Sequence, residues 1–216
     1  MKLIVLIATV VNIQAYEIED FVNLDKCDQV INKDIYSVCY SYEKKLPLAV
    51  WYTINKNQVN KINIKKRPKF YNEKNINIKY RAKLSDYKGS KMDRGHLASD
   101  ASFDYDKKAL RKTYSLVNIV PQYPKTNRVE WVKAERYERL IATKLKEITV
   151  VNIVDFSEDK GTMGENKISI PTAFIKILFS RKEKYKTCLK YKNEKNPNKS
   201  KLKSHKVKCL DLLVKN

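Results

Sequence analysis

Histidine is nearly absent from this chain: two occur in 216 residues, His96 and His205. The four cysteines include no Cys-x-x-Cys, and His205 is the only histidine near either cysteine pair. Structural zinc sites use closer ligand spacing, so the pattern argues against one. Beyond the N-terminus no apolar run approaches the roughly 20 residues of a membrane-crossing helix, and no span is expected. Acidic residues are scarce too, 24 against 45 Lys and Arg, which gives a net charge of +21. That balance suits an anionic partner, nucleic acid or an anionic membrane surface. The chain is also rich in Lys, Asn and Ile together, so coding bias contributes to the excess. Charge therefore permits nucleic-acid binding without identifying it. Nothing in the chain looks like a base-reading helix or a base-stacking repeat.

The two ends have characters of their own. Residues 1–15 read as a secretory signal peptide, with Lys2 as a one-charge start, Leu3 to Val11 nearly all apolar, and Ala15 as a small residue before Tyr16. Ile13 stands where a smaller residue is common. Export to a periplasm or the extracellular space is the expectation. About 200 residues remain, enough for a single domain with a sizeable core. In an exported chain an even cysteine count suggests disulfides. Cys27, Cys39, Cys188 and Cys209 allow three pairings, and the local pairs close the shortest loops. Residues 181–216 hold 13 Lys and Arg against 3 acidic residues, a net of +10, and read as a basic extension pinned back by its cysteines.

Between the ends, Leu46 to Ile54 is an apolar, β-prone core strand. Residues 72–90 are polar with weak alternation at Ile76, Ile78 and Tyr80, and should run over the surface. Asp104 to Lys112 suits a short helix, and Tyr114 to Val120 a strand stopped by Pro121. No Gly or Pro interrupts residues 127–147. There Val129, Trp131, Val132, Leu140, Ile141 and Leu145 recur at helical spacing and predict one buried face. Ile148 to Val154 reads as a central strand. Ile168 to Ser180 is a further strand region, bent at Pro171, in which Lys176 reads as a strand residue with a solvated tip.

The stretch Asp93-Arg94-Gly95-His96 stands out. Gly95 can take a backbone geometry closed to other residues and admit a close neighbour. An imidazole presented after it can act as a general base near neutral pH. A histidine beside a glycine is more often a turn or core residue, so the weight lies in the residues downstream. Ser115-Leu116-Val117-Asn118-Ile119-Val120-Pro121-Gln122 comes next, then Asn127, Trp131, Glu135 and Arg139. Asn127 could be no more than a helix cap. Glu135 lies eight residues on, about 800° of helix, which leaves about 80° between the two side chains. Glu135 could instead pair with Arg139 four residues along. Upstream, Arg67-Pro68-Lys69-Phe70 offers a guanidinium on an extended segment, suited to holding two phosphate oxygens at once.

In order and spacing these motifs, with Tyr87-Lys88-Gly89-Ser90 and Ile170 to Lys176, resemble the DNA/RNA non-specific endonucleases. These are the ββα-metal, or His-Me finger, nucleases that include endonuclease G. The likeness covers roughly residues 48–180. It implies an α+β fold: a ββα-metal finger on a mixed, mostly antiparallel central sheet flanked by helices, in one domain spanning 16–216. It implies a Mg²⁺-dependent endonuclease, with Mn²⁺ substituting, that cuts DNA, with RNA as a second substrate, and leaves 5′-phosphates. His96 would be the general base, Asn127 the direct metal ligand and Glu135 a ligand through water. Arg67, Glu135, Arg94 and Asn118 join His96 in the catalytic set. Arg67, Arg94 and Arg139 would hold nucleic acid. No protein partner is evident. The chain has Asp155-Phe156-Ser157 where the family often has a glycine turn. The competing class is a non-catalytic exported basic protein that binds DNA or other polyanions.

Overall fold

β-Branched and aromatic residues that alternate between two buried faces make strands, and here they build one large sheet. The computed structural model describes residues 17–209. The expected signal peptide, residues 1–15, and the apolar stretch after Cys209 lie outside that range. In chain order the strands are β1 (Gln29–Asn32), β2 (Ser37–Ser41), β3 (Leu46–Asn55), β4 (Asp93–His96), β5 (Ile119–Gln122), β6 (Glu147–Asp155), β7 (Thr162–Met163), β8 (Ile168–Ser169), β9 (Ala173–Ser180), β10 (Tyr185–Lys192) and β11 (Lys206–Val207). The helices are α1 (Lys107–Thr113) and α2 (Val132–Leu145). Seven strands form the sheet in the order β1-β2-β3-β6-β9-β10-β11, while β4 and β5 form a separate ribbon.

Every ladder among the described residues is antiparallel, so the sheet is not mixed. Short links such as β1–β2 and β9–β10 reverse the chain and force that pairing. The α-helices among the described residues pack on one face of it. On one face Val50, Tyr52 and Ile54 pack with Val150, Phe174 and Leu178 against Trp131, Ala134, Ile141 and Ala142. On the other, Ala49, Val151, Ile153 and Ile177 are covered by Phe21 and Val22, with all four cysteines in the same cluster. Cys27 is bridged to Cys39 and Cys188 to Cys209, the local pairs. Both staples stand on the side that, among the described residues, no α-helix covers, where cross-linking adds most to a thin layer.

Several local expectations change. Pro121 does not stop a strand. It lies in β5 opposite Arg94, preceded by a 3₁₀ turn at Leu116–Asn118. A two-stranded ribbon has free edges where a missing N–H costs little. Residues 72–90 make two 3₁₀ turns, and Ile76, Ala82 and Tyr87 are buried. The basic segment splits: Tyr185–Lys192 is an integral sheet strand, and the extension begins at Asn193. Lys176 is not solvated but fully buried, paired with Glu138. The same Glu138 accepts from Tyr52 Oη at 3.0 Å and Ser102 Oγ at 2.7 Å. On the long helix, Val129 and Leu140 are exposed, and the buried positions are Trp131, Ala134, Glu138, Ile141 and Ala142. The phase shifts because a π-turn, Thr126–Trp131, precedes α2. Its i→i+5 bonds take about one more residue per turn than α bonds.

Candidate active site

Two ties fix the ribbon against the long helix. At one end of β4, Asp93 Oδ2 accepts from Asn127 Nδ2 at 3.0 Å and from Arg128 Nε at 2.8 Å. At the other, the His96 carbonyl accepts from Trp131 Nε1 at 3.1 Å. Asn127, Trp131 and Glu135 succeed one another at strides of four. The wide π-turn brings Asn127 and Glu135 closer to one line than an unbroken α-helix would. Asn127 is therefore no helix cap: it sits inside the π-turn, and its orientation is decided by chemistry. A carboxylate can only accept, so the amide nitrogen faces Asp93 and Oδ1 faces away, unspent.

Gly95 makes room in the ribbon. A Cβ there would lie 2.0 Å from Gln122 Oε1, and Gln122 is fully buried. Its backbone is ordinary, however, so only space demands glycine. His96 packs against the rings of Phe70 and Tyr114, at centroid distances of 5.4 and 4.8 Å, and those two rings are themselves 4.7 Å apart. Its Nε2 is buried without a hydrogen-bond partner. Burial pulls the ring from 6.5 to about 4, against a smaller upward pull from Asp100, and Arg67 adds to the lowering. The imidazole is thus neutral at ordinary pH, the form that can take a proton.

Arg67 reaches the same corner. Its Nη2 donates to Asp104 Oδ2 at 3.1 Å and its Nε lies 3.4 Å from Asp100 Oδ2. Asp100 also accepts from Tyr114 Oη at 2.7 Å. The two acids hold the guanidinium in place and leave Nη1 unengaged. Arg94 is exposed, with its guanidinium 4.9 Å above the Phe70 ring. Glu135 makes no ion pair with Arg139, which instead donates to Ser99 Oγ at 3.4 Å. The Glu135 carboxyl has no hydrogen-bond partner among the described residues. Burial pushes it up to about 8, partly offset by the Lys176 ammonium.

Asn118 differs from the rest. Its Oδ1 accepts from Ala98 N at 2.7 Å, and its Nδ2 donates to the Ala98 and Thr113 carbonyls, both at 2.9 Å. It is fully buried. With no donor or acceptor left to offer, it is a positioning residue that fixes the chain after His96, not a group that touches substrate. Asp93, Asp100, Asp104 and Tyr114 also belong to the site, although the sequence does not single them out. Only Asp93 carries a signal, its place in the Asp-Arg-Gly-His run.

Among the described residues no three of His, Cys, Asp and Glu come together as a metal cage. An ion here would rest on few protein donors, with water and phosphate oxygens completing its shell. Asn127 Oδ1 and the Glu135 carboxylate are both unspent oxygens, the hard donor type that Mg²⁺ and Mn²⁺ favour.

A model of the DNA/RNA non-specific endonuclease family matches residues 18–215. The chain is 27% identical over 160 residues to human "Endonuclease G, mitochondrial", covering 69% of this chain and 54% of that protein. With "Nuclease 1, mitochondrial" of Schizosaccharomyces pombe it shares 27% over 168 residues, 72% of this chain and 52% of the other. The chain thus spans about half the length of the curated relatives it matches. A chain in the crystal structure of an EndoG/EndoGI complex aligns with a TM-score of 0.77 at 21% identity, covering 86% of this chain and 82% of the other. The likeness is one of fold.

Proposed function

Since the chain belongs to the DNA/RNA non-specific endonuclease family, we propose that it hydrolyses internal phosphodiester bonds of DNA, and of RNA as a second substrate, without sequence preference. One observation carries the reading. The buried Nε2 of His96, the Oδ1 of Asn127 and the carboxylate of Glu135 are all unsatisfied, and all belong to the ribbon–helix unit. Polar groups held away from bulk water are normally paired. The buried Nε2 of His96, together with two half-buried residues whose oxygens have no protein partner in the same ribbon–helix unit, indicates places kept for something that binds.

In this reading His96 accepts a proton from the attacking water. Phe70 and Tyr114 hold its ring and keep bulk solvent away. The free Nη1 of Arg67 contacts a phosphate oxygen, with Asp100 and Asp104 aiming it. Asn127 would hold a divalent cation directly and Glu135 through water. Such an ion, Mg²⁺ with Mn²⁺ substituting, would supply positive charge at the phosphate. Arg94 and Arg139 steer the strand by charge. The backbone, not base edges, is what these groups address, and the products would carry 5′-phosphates.

Export is part of the proposal. Residues 1–15 hold one Lys and no Arg, unlike the Arg-rich amphipathic leaders of mitochondrial proteins. Two disulfides suit an oxidising compartment. The decisive experiment incubates purified protein starting at Tyr16 with supercoiled plasmid and with single-stranded RNA. Cleavage that needs Mg²⁺ or Mn²⁺, stops with EDTA and leaves 5′-phosphates supports the proposal. Tight binding without cleavage under every divalent ion would leave only the polyanion-binding role.

A further inference from the structure

The extension from Asn193 to His205 is not a loose basic tail. It leaves β10 and returns as β11, where Val207 pairs with Cys188 and the Cys188–Cys209 bridge closes the loop. Between those fixed ends it lies along the segment that carries Asn127. Asn193 is buried and donates to the carbonyls of Pro121 at 3.1 Å and Pro171 at 3.0 Å, while its Oδ1 accepts from Tyr123 N at 3.0 Å. It thereby pins the corner between β5 and the helix. Thr126, fully buried, donates its hydroxyl to the Glu194 carbonyl at 2.9 Å and accepts the Glu194 N–H at 3.1 Å. Lys133 Nζ donates to the Ser200 carbonyl at 2.8 Å. The Ser200 hydroxyl donates to Glu130 Oε2 at 2.7 Å and lies 2.5 Å from Nε2 of His205. His205 stacks on Tyr191 at 3.8 Å.

Thr126, Glu130 and Lys133 are thus taken by the strap, and Asn127 turns toward Asp93. π-Turns are rare, occur mostly as single turns within α-helices and are frequent at functional sites. Reverting to α register would shift the ladder by one residue and rotate Asn127 by about 100°. That would carry its amide away from the His96 corner. The Thr126–Glu194 pair opposes the slip, because it ties the first residue of the π-turn to the strap.

We infer that residues 193–205 are a positioning element for the metal site, with Thr126 and Ser200 as the positioning residues on the two sides of the contact. The inference rests on the reading of Asn127 as a metal ligand. Partners one step removed from a ligand typically change metal affinity by about 10- to 100-fold.

The test measures Mn²⁺ binding to the full protein directly, by calorimetry and by the electron spin resonance of bound Mn²⁺, with no substrate present. Thr126→Val keeps the shape and removes the hydroxyl; Thr126→Ser restores it. The expected result is about 10-fold weaker Mn²⁺ binding for Thr126→Val and near-normal binding for Thr126→Ser, with both variants folded by circular dichroism. Ser200→Ala should weaken binding in the same direction, and it serves if Thr126→Val does not fold. Asn127→Ala is the control arm. Normal Mn²⁺ binding by Thr126→Val and Ser200→Ala, with loss in Asn127→Ala, overturns the strap's role and leaves the metal site standing. Normal binding by Asn127→Ala overturns the metal assignment, and the inference with it.

Discussion

Two neighbouring glutamates of helix α2 are treated in opposite ways. Toward the sheet, Glu138 is fully buried and saturated by Lys176, Tyr52 and Ser102. Three residues earlier, about 60° around the helix, Glu135 feels the charges of the same Lys176 and of Glu138 but has no hydrogen-bond partner, and burial lifts its carboxyl to about 8. The contrast repeats in other residue types. Asn118 spends its whole amide on Ala98 and Thr113, while Asn127 spends only its nitrogen. His205 engages both ring nitrogens, while His96 leaves Nε2 bare. A saturated polar group ties elements together, and its removal costs stability. An unsaturated one is held open at a cost to stability, and its removal costs chemistry.

Substitutions can break this division. The largest effect is expected for His96→Ala, which should lower cleavage by about a thousand-fold, within the range of general-base contributions, while plasmid binding measured by gel shift persists. Cleavage near the normal rate would place the base elsewhere. Next is Lys176→Met, which strands the Glu138 charge in the interior. Breaking a buried pair this way costs about 3–5 kcal/mol, readable by urea denaturation; an unchanged midpoint would mean Glu138 finds another partner or a proton. The paired asparagines sharpen the comparison further. Asn118→Ala leaves three backbone groups unmet and should cost about 3 kcal/mol, whereas Asn127→Ala should stay within about 1 kcal/mol while abolishing metal-dependent cleavage. Equal stability losses for the two would erase the distinction.

A pH dependence is expected as well, felt only on acidification. The folded His96 ring titrates near 4, while an unfolded one titrates near its ordinary value of about 6.5. Above that value both states are neutral and the ring contributes no slope. As pH falls from about 6.5 toward 4 the unfolded chain takes up the proton first, so stability drops across that window. His96→Asn should flatten this part of the curve. Parallel curves for the two proteins would show that the ring is not desolvated as the structure places it.

Much of this was legible in the chain. The β-branched runs Leu46 to Ile54 and Ile148 to Val154 become β3 and β6, side by side in the centre of the sheet. The cysteines pair locally, because short loops close at least entropic cost. The order of Asp93-Arg94-Gly95-His96, Asn127 and Glu135 already marks out the ribbon–helix unit. Other features were out of reach for a reason. Lys176 meets Glu138 from 38 residues away and Asn193 meets Pro121 from 72, and no local pattern encodes such encounters. The same holds for Asp100 and Asp104, which meet Arg67 from more than thirty residues away. The π-turn left its trace in Val129 and Leu140, apolar residues that ended on the outside.

By itself the sequence determined which residues carry chemistry and which segments must be buried, since side-chain type and periodicity are local properties. Tertiary structure alone decided which of those polar groups are saturated and which stay open. That depends on partners brought from distant parts of the chain, and a hydrogen bond is present or absent within a few tenths of an ångström.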